Sequence, residues 1–122
     1  MKYLLLIYNS ETEYAGQSEE QRTAMTADHM QFRKDMEASG AYLGAERLQP
    51  VKTAKSVRVR GGEYLLSDGP FAETKEQLAG FYYIDVETEE EALEWAKRIP
   101  QSESTVIEVR PIWEMPYRSS AD

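Results

Sequence analysis

A chain of 122 residues with a net charge of −8, one histidine and no cysteine is long enough to bury a core and too short for two domains. The acidic balance argues against nucleic acid as a partner, because phosphate binding rests on clustered Lys and Arg. The lack of cysteine excludes disulfides, thiolate metal sites and a cysteine nucleophile.

Lys2 to Tyr8 is a continuous apolar run ending at Asn9-Ser10, which predicts a central strand covered on both faces. It is too short to span a membrane and lacks a signal-peptide cleavage site, so no membrane partner is expected and the cytoplasm is the expected compartment. Glu11 to Gln17 reads as a polar connection. Ser18 and Gln21 form a capping-box pattern opening a helix to about Ser39, with Gly40 placed to end it. Its inward stripe is Met25, His29, Phe32 and Met36, at the i, i+4, i+7, i+11 spacing of one face. The histidine therefore sits among apolar neighbours.

Tyr42 to Leu48 predicts a second strand, closed by Pro50. Ser56 to Arg60, Gly61-Gly62 and Glu63 to Leu66 predict a β-hairpin, because Gly-Gly supplies the positive φ angles of a two-residue turn. Counting outwards pairs Arg60 with Glu63, Val59 with Tyr64, Val57 with Leu66 and Lys55 with Asp68. Alternation then puts Asp68 on the hairpin's apolar face, where an inward carboxylate needs a partner. Lys52, Lys55, Arg58 and Arg60 form the chain's local basic cluster; Arg58 and Arg60 read as the solvated face of the hairpin or as a lure for an anionic ligand. In the stretch Ser67 to Glu76, Gly69 and Pro70 make a rigid corner that holds Asp68 and Phe71 at set angles. Thr74 with Gln77 could also cap a short helical turn. A plain strand-ending turn, with Asp68 bonded to nearby amides, is the other reading.

Gly80 to Val86 predicts another strand apolar on both faces, with Phe81 and Tyr83 on one and Tyr82 and Ile84 on the other. Thr88 and Glu91 open a second long helix that buries Ala92, Trp95, Ala96 and Ile99 and stops at Pro100. Glu89 to Glu91 at its start and Lys97 and Arg98 at its end suit the helix dipole. Thr105 to Ile112 is the last strand; residues 1–115 form the expected domain and 116–122 a loose tail. Strand, helix, strand, hairpin, strand, helix, strand is a split βαβ pattern, an α+β fold with an inserted hairpin. Two helices cover one face of such a sheet, so the second apolar face predicts a homodimer.

Asp68-Gly69-Pro70-Phe71-Ala72-Glu73-Thr74-Lys75-Glu76 resembles the signature of the DGPF-domain proteins, a branch of the YCII-related family. The similarity extends through Met1 to Tyr8, Gly80-Phe81-Tyr82, Glu91 to Ala96 and Glu108 to Pro111. The resemblance implies a ferredoxin-like α+β fold of the dimeric α/β-barrel type and a His–Asp pair in a cleft. A relative in the wider family is a dehydrochlorinase of a chlorinated hydroxyquinol, and relatives are often encoded near alternative sigma factors.

No phosphate-cradling glycine loop, paired-histidine metal motif or Gly-x-Ser-x-Gly elbow is present, so no cofactor is expected, and with one His and no Cys no metal either. The catalytic candidates are His29, able to exchange protons near neutral pH, and Asp68 to orient it; a core histidine bonded to a backbone carbonyl is the alternative. Substrate-binding candidates are Phe71, Glu73, Lys75, Tyr8 and Tyr82. Glu73 and Lys75 read equally as a salt-bridged exposed turn, and Tyr8, Tyr82 and Trp95 as core aromatics. Three functions follow: a cofactor-independent lyase, isomerase or dehydrohalogenase acting on a small, aromatic molecule; a non-catalytic small-molecule-binding or regulatory module; or a structural dimer module.

Overall fold

The computed structural model of the chain describes residues 1–115, so the expected loose tail from Pro116 onward lies outside the described residues. The elements run β1 (Lys2–Asn9), α1 (Glu11–Ala15), α2 (Glu19–Ser39), β2 (Tyr42–Arg47), β3 (Lys55–Arg60), β4 (Glu63–Asp68), β5 (Gln77–Asp85), α3 (Glu89–Arg98) and β6 (Val106–Pro111), with a 3-10 turn at Val51–Thr53. Four strands form one antiparallel sheet in the order β2-β5-β1-β6. This mixed α+β arrangement is consistent with a ferredoxin-like fold. Among the described residues no helix is long and apolar enough to cross a membrane.

The two strands with unbroken apolar runs take the two central places, as their composition demands. Tyr3, Leu5 and Ile7 of β1 and Tyr82 and Ile84 of β5 face the helices and close a core with Phe32 and Met36 of α2 and Ala92 and Ala96 of α3. Leu4, Leu6, Phe81 and Tyr83 alternate onto the opposite face, which none of the described helices covers. Ser18 and Gln21 complete the capping box of α2, and Gly40 ends the helix with φ 85°. At α3 only half of the expected box forms: Thr88 accepts from the Glu91 amide, while the Glu91 carboxylate takes the Glu87 amide at 3.4 Å.

Local departures from the sequence reading have local causes. The stretch expected as a plain connection contains α1, capped by Ser10 accepting from the Glu13 amide; five residues are too few to show a 3.6-residue period. Thr74 caps no helix, since its hydroxyl donates to the Glu76 carbonyl. Gln77 instead begins β5, donating to the Thr74 carbonyl and accepting from the Glu11 amide.

β3 and β4 form a separate two-stranded sheet about Gly61 (φ 56°) and Gly62 (φ 80°). Its register runs from Arg60 opposite Glu63 to Lys55 opposite Asp68. The apolar face of this hairpin, expected to turn inward, is exposed, with Leu66 77% accessible. A turn's register determines which side chains share a face; it carries no information about what that face meets.

Candidate functional site

At one end of the sheet Ile7, Gly80 and Arg47 lie side by side on β1, β5 and β2. Strand alternation turns all three towards the helices, and the next row there ends in Ala45 beside Tyr82. Gly80 brings no side chain, and the backbones are too close to admit one: a Cβ on Gly80 would meet the Glu46 carbonyl oxygen at 2.6 Å. Glycine and alanine therefore leave the space above this end of the sheet unfilled.

The N-terminal half of α2 roofs that space rather than packing into it. Its buried residues, Phe32 and Met36, both belong to the C-terminal half. The expected four-residue stripe thus divides: Phe32 and Met36 enter the core, while Met25 and His29 line a cavity of about 460 Å³. Tyr14 of α1 and Thr105, beside β6, also contribute to its wall.

His29 Nδ1 lies 2.9 Å from the Tyr82 hydroxyl, and the two rings are nearly parallel, 9° apart with centroids separated by 6.1 Å. Phe32 packs edge-on against Tyr82 at 5.1 Å and holds the phenol in place from the core side. Burial lowers the His29 pKa below its ordinary value, and the Arg47 cation lowers it further against an opposing pull from Asp28. Burial raises the Tyr82 pKa, with Tyr42 adding to the effect and Arg33 opposing it. The site therefore favours a neutral imidazole beside a neutral phenol. Among the described residues Nε2 makes no protein hydrogen bond.

Of the sequence candidates, the structure joins His29 and Tyr82 and separates the rest from them. Asp68 is not His29's partner within the chain: its side chain is 87% exposed and accepts from Lys55 at 2.5 Å, directly across the hairpin. Phe71 is 82% exposed, and Glu73 and Lys75 are exposed on the same turn, outside the cavity. Gly69 has the positive φ, 84°, that its place in the corner requires. Tyr8 alternates onto the helix-free face, where its hydroxyl donates to Glu108 at 3.2 Å and Arg110 donates to the same carboxylate at 2.6 Å. Burial, then Glu108, raises the Tyr8 pKa, while Arg110 is the largest influence holding Glu108 low. Trp95 packs on Phe32 at 5.8 Å as a core aromatic.

Sequence reasoning missed Tyr14, Arg22, Arg33 and Arg47, all in the cavity wall. Two guanidinium groups lie near the Tyr14 ring, Arg22 at 5.0 Å and Arg47 at 5.4 Å from its centroid. Arg47 also donates to the Tyr14 hydroxyl at 2.7 Å, and Arg22 to the Tyr14 and Ala15 carbonyls at 3.3 and 3.1 Å. A signal for two of them was present: Arg22 and Arg33 extend the Met25 and His29 stripe by whole helical turns. Nothing in the sequence marks Tyr14, because α1 is too short to have a periodic face.

Residues 1–116 match the model of the YCII-related domain. The chain is also 36% identical over 114 residues to an uncharacterized protein of Rhizobium meliloti (strain 1021), with 92% of each chain covered. Both similarities span the cavity end of the sheet and the hairpin alike, and on them the chain belongs to the YCII-related family.

Proposed function

We propose that the protein is a cofactor-independent proton-transfer enzyme, of the lyase, isomerase or dehydrohalogenase kind, acting on a small aromatic molecule in the cavity. The observation that carries this reading is the 2.9 Å contact between His29 Nδ1 and the Tyr82 hydroxyl in the cavity wall. With Nδ1–H donating to the phenol oxygen, a neutral His29 presents its Nε2 lone pair as a general base. After taking a proton it is a general acid at the same atom. Tyr82, kept protonated by burial, orients the ring and shares the imidazolium charge. The test is deuterium uptake from D2O into acidic C–H positions of small aromatic compounds that raise the melting temperature. Exchange that His29→Ala abolishes supports the reading; stabilising compounds that exchange equally with and without His29 contradict it.

A non-catalytic binding or regulatory module is the second reading. It is favoured by the absence of a carboxylate hydrogen-bonded to His29 among the described residues, which leaves the imidazolium without a counter-ion. In either reading we propose a homodimer formed through the helix-free sheet face that carries Leu4, Leu6, Phe81 and Tyr83. Light scattering should give twice the chain mass, and a stable monomer at micromolar concentration would contradict it.

A further inference from the structure

We propose that the ligand of this cavity is a small aromatic carboxylate, its charge taken by the Arg47 guanidinium and its ring lying against Met25, Tyr14 and Tyr82. The inference rests on the reading of the cavity as a substrate site and names the class of molecule it takes.

The charge distribution is the first support. The chain carries −8 overall, yet three arginines and two glutamates reach the cavity wall. Strand pairing puts Glu46 opposite Phe81, hence on the helix-free face, and Glu13 is exposed on α1. Arg33 has a carboxylate near it, Glu37 at 3.5 Å. Among the described residues Arg22, Arg47, Arg58 and Arg60 have none within 4.0 Å, the last two on the exposed strand β3 of the hairpin, whereas Arg98 and Arg110 have. Two guanidinium groups without counter-ions in an acidic chain both converge on this one hollow.

The donor inventory is the second support. A guanidinium has five N–H groups in a planar fork that matches a carboxylate. Arg22 donates from Nη2 to the Tyr14 and Ala15 carbonyls and so tethers the end of α1, while among the described residues its buried Nε has no acceptor. Among the described residues Arg47 makes one side-chain bond, from Nη2 to Tyr14, which leaves the rest of its fork to a ligand. The volume, about 460 Å³, falls in the range of small-molecule sites.

The third support is a coupling between the two ends of the ligand. The charged and titratable groups around His29 are Arg22, Asp28 and Arg33 on α2, Glu13 and Tyr14 on α1, Arg47 and Glu46 on β2 and Tyr82 on β5. After burial, the Arg47 cation is the next influence that lowers the His29 pKa. A carboxylate seated on Arg47 cancels that influence, so binding the anion makes His29 a better proton acceptor.

The experiment uses benzoate, which has no exchangeable C–H proton, and benzamide, its neutral isostere, with the single histidine as NMR reporter in the full chain. Benzoate should bind, shift the His29 ring resonances and raise the His29 pKa, while benzamide binds more weakly and leaves the pKa unchanged. Arg47→Gln should weaken benzoate about tenfold, the scale of a charge-assisted pair, without weakening benzamide. Arg47→Lys, which keeps the charge and loses the fork, should recover part of the affinity; an unchanged melting temperature in both variants separates lost contact from lost fold. Equal binding of the two compounds, benzoate binding indifferent to Arg47, or no binding of benzoate would each overturn the inference. Because benzoate undergoes no turnover, that failure is distinct from a failure of proton transfer, which the deuterium exchange reads.

Discussion

The cavity end of the main sheet and the β3–β4 hairpin carry the two residues that the sequence singles out, His29 and Asp68, and they differ in nearly every physical respect. His29 belongs to a helix whose lower half is anchored by Phe32 and Met36 in the core, so its position is imposed from outside its own segment. Asp68 belongs to a strand whose recorded ladder is with β3 alone, and every residue of β4 is exposed. A hairpin of two strands has little stability of its own in water. The contrast teaches that a side chain's face becomes a location only when its element is packed against something else.

Truncation should break the comparison most sharply. Ile84 is fully buried between sheet and helices, so Ile84→Ala should cost about 3 kcal/mol in denaturant melts, whereas Leu66→Ala, in the exposed hairpin, should stay within about 0.5 kcal/mol. A large cost for Leu66→Ala would mean that a second copy covers the hairpin. Gly80→Ala comes next. Its Cβ would meet a backbone oxygen at 2.6 Å, and rigid backbone must move to admit it, at about 1–3 kcal/mol. The same change should shift the His29 resonances by displacing Ala45 and Arg47.

The smallest effect is on pH dependence. Because the folded chain lowers the His29 pKa, the unfolded chain takes up that proton first as pH falls through about 6.5. Stability should therefore decline from about pH 6.5 down to the folded pKa and lose nothing further from this group below it. His29→Gln should remove that step from the stability profile, and an unchanged profile would show that burial does not control the imidazole.

The strands, the two long helices and the alternating faces of β5 were legible in the sequence because each rests on a period of several residues reinforced by caps at Ser18, Thr88 and Gly40. Half of the candidate site was legible as well: the stripe that turned His29 inward was real, and Tyr82 stood on the face now opposite it. The rest depended on vacancy and approach. The cavity exists because Gly80 and Ala45 are small where β2 and β5 meet, and pairing between those strands is a long-range fact. Arg47 was one charge among many until that pairing placed it beside His29. Asp68 was misread for the complementary reason: its register was right and the destination of its hairpin was not encoded in that register.

The central claim is that Tyr82, and not Asp68, is the hydrogen-bond partner of the histidine within the chain. An NMR titration of the His29 imidazole in the unsubstituted protein, Tyr82→Phe and Asp68→Asn tests it directly. Tyr82→Phe removes the hydroxyl 2.9 Å from Nδ1 and should change both the pKa and the tautomer balance, while Asp68→Asn, altering an exposed carboxylate bonded to Lys55, should leave the curve superimposable on the original. A lowered His29 pKa in Asp68→Asn together with an unaltered curve in Tyr82→Phe would contradict the account.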